Sequence, residues 1–235
     1  MACVWTGGEP VENDVLRQAT LFNALDDEAA TALRESMSEV RLRRGEVLFH
    51  EGDSGDKLYI VTDGKVKLGR TSSDGRENLL AILGPGQMFG ELSLFDPGPR
   101  STTVTAVTET RLMSLAHADL QQWLNGRPAV ARGLLSQLAH RLRKTNDVVA
   151  DLVFSDVPGR VAKALLDLAD RFGRTADDGV HVHHDLTQEE LAQLVGASRE
   201  TVNKALADFA SRGWLRLEPR SVVIMDLDRL RRRAR

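Results

Sequence analysis

Residues 90–100, with the sequence GELSLFDPGPR, carry an acid and a base at the two ends of a tight turn that contains two prolines. Glu91 follows a glycine, and Arg100 ends the stretch. The planar guanidinium of arginine pairs well with phosphate and carboxylate oxygens, and a carboxylate is a strong acceptor for a hydroxyl group. One interpretation is a polar ligand held by Glu91 and Arg100, and the alternative is a plain surface ion pair.

A second group of polar residues lies on two short predicted helices near the C-terminus. Residues 187–190, Thr-Gln-Glu-Glu, have the form of a capping box. Gly196 ends this helix and Ser198 caps the next, so the pattern predicts a helix-turn-helix. Arginine and glutamate at the start of the second helix can contact guanine and cytosine edges, although a solvated helix start is the alternative. The candidate DNA-contact residues are Thr187, Ser198, Arg199, Glu200, Thr201, Asn203 and Lys204.

The composition limits the classes of protein to which the chain can belong. The chain has 235 residues, 42% of them hydrophobic and 28% charged, which suits a protein of two domains. It contains no apolar run long enough for a membrane span, and MACVWTGGEPVEN does not resemble a secretory signal. The single cysteine, Cys3, excludes a disulfide framework and a cysteine zinc site. We therefore expect a cytoplasmic protein with an N-terminal extension over residues 1–13.

Charge alone does not indicate a nucleic-acid binder. The net charge of the whole chain is -3, and residues 155–235 carry 14 Lys and Arg against 13 Asp and Glu. A nucleic-acid-binding domain is often strongly basic, and this one is nearly neutral. The prediction of DNA binding thus depends on the helix-turn-helix pattern.

The first half of the chain has the pattern of an antiparallel β domain. Helices are predicted over residues 16–25 and 26–37, and short β-type runs separated by glycines follow from Val40 to about Leu115. Their length and regular spacing are typical of an antiparallel sandwich or barrel. The predicted strands are residues 46–49, 57–61, 65–68, 78–82 and 102–107.

A long helix is predicted over residues 128–154, with apolar residues at alternating steps of four and three. This heptad pattern is typical of a helix that pairs with an identical helix, and the alternative is a single helix packed on its own β domain. Thr145, with Asn146 beside it, interrupts the pattern, where polar side chains either fix the register or contact a ligand. The predicted seam consists of Ala131, Leu135, Leu138, Leu142, Thr145, Val149 and Leu152.

The remaining elements complete the C-terminal domain. Residues 156–159 predict a break and a hinge, and a helix is predicted over residues 160–172. Residues 214–217 and 222–225 are predicted to form a hairpin, which would be the wing that follows the helix-turn-helix. The final RRRAR run is interpreted as a frayed, solvated tail, and the alternative is contact with phosphates. Three arginines near the hairpin either contact DNA phosphates or are simply solvated: Arg212, Arg216 and Arg220.

The order of a glycine-punctuated β domain, GELSLFDPGPRS, a seam helix and DLTQEELAQLVGASRETVNKAL resembles the cyclic AMP receptor protein, or catabolite activator, family of bacterial transcription regulators. The resemblance covers residues 14–230. It implies an α+β chain with a jelly-roll β-barrel that binds cyclic nucleotide at 14–127, a dimerisation helix at 128–154 and a winged helix-turn-helix at 155–235. The cyclic AMP residues that it implies are Gly90, Glu91, Leu92, Ser93, Arg100, Ser101, Thr145 and Asn146.

The family resemblance assigns these residues roles. Arg100 would bind the cyclic phosphate, Glu91 the ribose 2'-hydroxyl, and Thr145 and Asn146 the adenine. Asn146 stands where serine is best known in the family, and Lys204 stands where arginine is usual. The implied partners are a second copy of the chain, palindromic double-stranded DNA and RNA polymerase, with cyclic AMP as effector, no metal and no membrane.

Other functions have weaker support in the sequence. No order of residues indicates an enzyme, and a cyclic-nucleotide module that regulates an enzyme would not need a helix-turn-helix. The group His181-Val182-His183-His184 could bind zinc, but a partly exposed strand edge explains it better. Within the same family, haem, another nucleotide or activity without ligand stay open as alternatives.

Overall fold

The computed structural model describes residues 15–23, 25–96, 98–125 and 127–234. Cys3, the predicted N-terminal extension and position 14 lie outside the described residues, as do Pro97 and Arg235. The chain divides into two compact units, one within Met1–Leu68 and Ile82–Leu142 and the other within Gly69–Ala81 and Arg143–Arg235. Each unit is described separately below.

Short helices open the first unit. Residues 15–18 and Thr20–Asn23 are helical, and helix α1 spans Asp27–Glu35. Asp26 caps α1 by accepting a hydrogen bond from the Ala29 amide at 2.8 Å, which confirms the acidic helix start expected from the sequence.

The β domain consists of two antiparallel sheets. Their strand orders are β1-β8-β3-β6 and β2-β7-β4-β5. Phe49 on β2 lies 6.0 Å from Tyr59 on β3 and 6.2 Å from Phe89 on β6, between ring centroids, so aromatic packing joins the two sheets. The antiparallel β architecture expected from the sequence is confirmed. The strands are β1 Ser38–Leu42, β2 Val47–Phe49, β3 Lys57–Asp63, β4 Val66–Thr71, β5 Glu77–Leu83, β6 Met88–Phe89, β7 Thr103–Ala106 and β8 Thr110–Ala116.

Three further helices follow strands β6 and β8. Helix α2 spans Leu92–Phe95, α3 spans His117–Leu124, and α4 spans Pro128–Phe154, the range expected for the long helix. Val130 and Leu134 in the first turns of α4 are fully buried in a cluster with the N-terminal helices and strands β3 and β8. The hydrophobic effect thereby fixes the start of α4 on the β domain.

The second unit begins a new helix almost immediately after α4. Helix α5 spans Val157–Phe172, and Asp156 caps it. The predicted break at 156–159 is therefore wrong in part, because Pro158 and Gly159 form the first turn of α5. Proline is tolerated there because the first helical amides have no partner within the helix.

The C-terminal part of the second unit has the winged order expected from the sequence. Helices α6 (Gln188–Val195), α7 (Arg199–Ser211) and α8 (Leu227–Arg233) combine with a sheet of order β11-β12-β10-β9. Arg231, Arg232 and Arg233 of the RRRAR run form the last turn of α8, so the expected fraying is wrong, while Arg231 and Arg232 are exposed to solvent as expected. No helix within the described ranges is long and apolar enough to cross a membrane. The strands are β9 Gly173–Ala176, β10 Gly179–Val182, β11 Leu215–Glu218 and β12 Ser221–Ile224.

Candidate ligand site and nucleic-acid interface

Glu91 lies in the turn between β6 and α2 and is almost completely buried, with 1% of its surface exposed. Arg141 on α4 donates from Nη1 to Glu91 Oε1 at 2.5 Å and from Nη2 to the Met88 carbonyl at 2.9 Å. The second carboxylate oxygen of Glu91, Oε2, is buried and has no hydrogen-bond partner in the described structure. Leaving a buried acceptor unpaired is costly, so Glu91 Oε2 indicates a place for an external donor.

Arg100 is also buried, with 5% exposed, and its guanidinium is held by backbone carbonyls. Nη1 donates to the Gly90 carbonyl at 3.2 Å and Nη2 to the Lys57 carbonyl at 2.8 Å. The guanidinium carbon lies 4.3 Å from the centroid of the Phe49 ring, in a cation–π arrangement. These contacts fix the orientation of the guanidinium without neutralising its charge.

The positive charge of Arg100 has no ion-pair partner among the residues that the structure describes. Its Nε is buried and makes no hydrogen bond there. Burial lowers the pKa of Arg100, but an arginine side chain stays protonated in proteins. Asp56, Asp53 and Glu91 act on this charge without forming an ion pair with it, so a directly bound anion is favoured at this position, and the fork of the guanidinium suits a phosphate group.

Two glycines leave space around Arg100. A Cβ atom at Gly55 would lie 2.4 Å from Arg100 Nε. Gly90 has a φ of +83°, and a Cβ there would lie 2.9 Å both from Arg100 Nη1 and from the Lys57 carbonyl oxygen. The glycine at position 90 is thus required both by its backbone conformation and by close packing.

Replacing Gly90 with alanine is expected to lower the free energy of unfolding by about 1–3 kcal/mol, because the left-handed backbone and the close contacts disfavour a side chain. Urea unfolding measures the effect. Gly98→Ala is the matched control, since its Cβ would approach no atom closer than 3.8 Å. Equal midpoints for the two variants would contradict this account of the turn.

The other predicted ligand residues in this unit lie around the same turn. Leu92 is exposed, Ser93 is half-buried, and both lie on α2 immediately after Glu91. Ser101 is exposed and follows Arg100. The structure thus brings Gly90 and Arg100 into contact and places Glu91, Leu92, Ser93 and Ser101 on the adjoining chain.

Arg141 is a residue of this site that the sequence interpretation did not include. It lies one helical turn before Thr145 on α4, and the only signal in the sequence is this spacing along one helix. Its pairing with Glu91 spans 50 residues of sequence and depends on the tertiary fold.

Thr145 and Asn146 lie on α4 in the second unit, and both are exposed. Apolar residues of the seam are also exposed on the single chain, among them Leu135 and Leu142 at 61% each. Further seam residues that are more than half exposed are Val149 and Leu152.

The helix-turn-helix has the caps that the sequence predicts. Thr187 accepts from the Glu190 amide at 3.1 Å, and Glu190 accepts from the Thr187 amide at 2.8 Å, which completes a capping box. Gly196 has a φ of +68°, as the left-handed end of α6 requires. Ser198 caps α7 by accepting from the Thr201 amide at 3.2 Å. These bonds set the direction in which α7 leaves the turn.

The predicted DNA-contact residues other than Thr187, which caps α6, lie at the start of α7. Arg199, Glu200, Thr201 and Lys204 are exposed, and Lys204 Nζ lies 2.7 Å from Glu200 Oε1. Asn203 is half-buried, and its Oδ1 is buried without a partner in the described structure. Arg199 is therefore the exposed arginine on this face with no carboxylate partner among the described residues.

The three arginines considered as phosphate contacts differ in their surroundings. Arg212 is paired with Asp208 at 2.9 Å, and Arg216 is paired with Asp178 at 2.7 Å and with Glu218 at 3.3 Å. Hydrogen bonds from His181 and Arg216 lower the pKa of Asp178 to about 2. Arg220, by contrast, is exposed at the wing turn with no described partner for its side chain, and its φ is +57°.

The histidines at 181–184 have local partners. His181 Nε2 lies 2.7 Å from Asp178 Oδ1, and the Nδ1 atom of the buried His184 accepts from the Leu186 amide at 3.1 Å. No cluster of three or more His, Cys, Asp or Glu side chains suited to a metal ion occurs in the part of the chain that the structure describes.

Comparisons with known proteins identify both modules. Residues 39–127 match the family described as cyclic nucleotide-binding domain, and residues 159–233 match the Crp-like helix-turn-helix domain. Among solved structures, the c-di-GMP responsive global regulator CLP of Xanthomonas campestris superposes with a TM-score of 0.73 at 27% identity, covering 85% of this chain and 99% of that one.

Two relatives also match this chain over nearly its whole length. The CRP-like cAMP-activated global transcriptional regulator of Mycobacterium tuberculosis is 56% identical over 223 residues, covering 95% of this chain and all of that protein. The cyclic AMP receptor protein of Thermus thermophilus is 36% identical, covering 90% of this chain and 94% of that protein. Identity of this extent over most of both proteins shows that the chain belongs to the cyclic AMP receptor protein family of DNA-binding transcription regulators, which are not enzymes.

Proposed function

We propose that this chain is a dimeric transcription regulator whose affinity for a palindromic DNA site is controlled by cyclic AMP. The observation that carries the proposal is the buried Arg100 guanidinium, which has no counter-ion among the described residues, near a turn where Glu91 keeps one unpaired oxygen. The predicted domains at 14–127, 128–154 and 155–235 would hold the ligand, the dimer seam and the DNA interface.

The polar groups around Arg100 suit the phosphate and sugar of a cyclic nucleotide. Arg100 would donate to the cyclic phosphate, with help from the Ser101 hydroxyl and amide. Glu91 Oε2 would accept from the ribose 2'-hydroxyl while Arg141 holds the other oxygen. The backbone at Gly90 and Leu92, with Ser93 beside it, would close around the ring.

Thr145 and Asn146 are the proposed contacts to the adenine base. A threonine hydroxyl and an asparagine amide each offer a donor and an acceptor, as the amino group and ring nitrogens of adenine require. Asn146 has a larger side chain than the serine usual in the family, so the affinity for adenine is expected to differ. This assignment follows from position on α4 and from the family resemblance.

Calorimetric titration of the full-length protein tests the ligand. We expect cyclic AMP to bind with one ligand per chain and more tightly than cyclic GMP or cyclic di-GMP. Cyclic di-GMP is the alternative with a specific observation behind it, because the structural neighbour from Xanthomonas campestris is named as responsive to it. Tighter binding of cyclic di-GMP would overturn the choice of effector and keep the regulator class.

The exposed seam supports the dimer. Four apolar seam residues are more than half exposed on one chain, which is unfavourable in water unless a second surface covers them. Their heptad spacing suits an identical helix in parallel, as in a two-stranded coiled coil. A symmetric dimer would present two recognition helices, which explains the expectation of a palindromic site. RNA polymerase is the proposed partner of the DNA-bound dimer.

Control by ligand requires two states of the dimer. A ligand shifts such an equilibrium only as far as its affinities for the two states differ. We propose that cyclic AMP favours the state in which the two α7 helices are spaced for neighbouring major grooves.

Replacing Arg199 with alanine is expected to weaken binding to the specific site by about 1–3 kcal/mol, because the guanidinium can donate two hydrogen bonds to one guanine. The discrimination against a changed base at that position should fall by a similar factor. Fluorescence anisotropy with the palindrome and a single-base variant measures both effects.

Arg174→Ala is the matched control for Arg199→Ala, since it removes the same charge from the exposed strand β9. It should change affinity by no more than about twofold and leave base preference intact. An Arg199 variant with unaltered base preference would show that α7 does not contact the bases through this residue.

A further inference from the structure

Helix α8 is a packed element and not a loose C-terminal tail. Asp226 caps it by accepting from the Arg229 amide at 2.9 Å, and Leu230 is completely buried. The helix packs against α5. The position of Arg233 at its C-terminal end is therefore defined by a buried anchor one turn earlier.

Arg233 reaches the residue that caps α5. Its Nη2 donates to Asp156 Oδ2 at 2.5 Å, while Asp156 Oδ1 accepts from the Gly159 amide at 2.9 Å. The Asp156 carbonyl accepts from the Arg160 amide at 3.0 Å. The bond from Arg233, together with the bond from the Gly159 amide, lowers the pKa of Asp156. One carboxylate thus joins the last turn of α8 to the first turn of α5.

Gly159 allows this close approach. It is buried, and a Cβ at this position would lie 2.9 Å from Asp156 Oδ1 and 3.3 Å from Arg233 Nη1. A side chain there would push Arg233 away from the cap.

The same turn is the junction between the long helix and the DNA-binding domain. Ser155 and Asp156 are the two residues between the end of α4 and the start of α5. Arg160 donates to the Ser155 carbonyl at 2.8 Å and to the Val195 carbonyl at 3.0 Å. The position of this turn therefore fixes the end of α6, where the helix-turn-helix begins its own turn.

We infer that Arg233 is a positioning residue for ligand-controlled DNA binding, because it holds the Asp156 turn and so stiffens the joint between α4 and the helix-turn-helix. The inference rests on the proposed function for its biological role. With a looser joint, the recognition helix samples more orientations for any one position of α4. A ligand-induced change in the position of α4 then has a smaller effect on the affinity for DNA.

Arg233→Ala in the full-length protein tests the inference, with Arg231→Ala as matched control. The Arg231→Ala substitution removes the same charge from the same helix. In the wild type Arg231 Nη1 lies 3.5 Å from Asp228 Oδ1. The measured quantity is the ratio of affinities for the palindromic site with and without saturating cyclic AMP. We expect Arg233→Ala to lower this ratio about threefold or more and Arg231→Ala to leave it unchanged.

Asp156→Asn is the second variant and keeps an N-cap acceptor while it removes the charge. It should lower the ratio as Arg233→Ala does, and the double variant should lower it no further, because both changes break one contact. Hydrogen exchange of the Gly159 and Arg160 amides should become faster in Arg233→Ala and stay the same in Arg231→Ala.

The outcomes separate this inference from the proposed function. A wild-type protein that responds to cyclic AMP, with an Arg233 variant that responds equally, would overturn the positioning role alone. A wild-type protein that does not respond would overturn the proposed effector. In that case the hydrogen exchange of the Gly159 and Arg160 amides in Arg233→Ala still tests the joint. Exchange as slow as in the wild type would overturn the proposal that Arg233 stiffens the joint, and faster exchange would support it.

Discussion

Replacing Arg100 with leucine is expected to lower the affinity for cyclic AMP at least about 100-fold, which corresponds to roughly 2.7 kcal/mol. The guanidinium is buried, oriented by two carbonyl groups and without a counter-ion among the described residues. Hydrogen bonds from a charged group to a phosphate contribute about 1.5–3 kcal/mol each, and leucine would make none of them. Titration calorimetry on the purified protein measures the loss.

The Arg100 experiment needs variants that separate ligand binding from folding. Leucine also leaves the Gly90 and Lys57 carbonyls without their donor, so circular dichroism and sedimentation must show a folded dimer. Arg100→Lys keeps the charge but loses the fork, and should still weaken binding by roughly tenfold or more.

Arg111→Leu is the matched control for Arg100, because this exposed arginine is paired with Asp63 at 3.3 Å on the same β domain. It should leave the affinity for cyclic AMP within about twofold, as surface ion pairs contribute little. Unchanged binding in both Arg100 variants would show that the ligand phosphate lies elsewhere.

Replacing Leu142 with lysine is expected to convert the dimer to a monomer, with an increase of at least about 100-fold in the dimer dissociation constant. In a symmetric parallel seam the substitution would bring two ammonium groups together in an apolar layer. Leu142 is 61% exposed on the single chain, so the fold of the chain itself should tolerate lysine. Sedimentation velocity over a range of concentrations measures the change.

His140→Lys provides the control for Leu142→Lys. His140 is exposed on α4 at a heptad position away from the seam, so lysine there should leave the dimer intact. The monomeric Leu142 variant should also lose most of its preference for a palindrome over a half-site. A Leu142→Lys protein that stays dimeric at micromolar concentration would exclude this face of α4 as the interface.

Local sequence signals predicted α4 and the two capped helices of the helix-turn-helix well, but they did not predict α2, α3 or α8. The bounds of α4, which ends at Phe154, follow from Pro128 at its start and from a heptad pattern that continues to Leu152. Thr187 and Ser198 cap α6 and α7 through bonds to amides three residues ahead, which a short sequence pattern specifies fully. Features of this kind depend on neighbouring residues and so can be found without the fold.

The contacts that complete the sites join residues far apart in the chain. Arg141 pairs with Glu91 across 50 residues, and Arg233 pairs with Asp156 across 77. Arginine at either position is compatible with a solvated helix surface, so the sequence carries no local signal for its partner. The extent of the break at 156–159 was predicted wrongly for a related reason, since proline and glycine occur both in loops and in first helical turns.

The sequence predicted the chemistry of residues 90–100 but not the partners of its two charged side chains. An acid and a base at the two ends of a turn are compatible with an exposed ion pair. In the structure Glu91 pairs with Arg141, and Arg100 is bonded to carbonyl groups. The turn thus holds a buried cation whose charge is left for an external anion.

Control of DNA binding by cyclic AMP is tested most directly by the affinity of the full-length protein for a palindromic site, measured with and without cyclic AMP at one stated salt concentration. We expect cyclic AMP to tighten binding at least about tenfold in the wild type and to have no effect in Arg100→Leu. Equal affinity with and without cyclic AMP in the wild type would show that cyclic AMP does not control DNA binding.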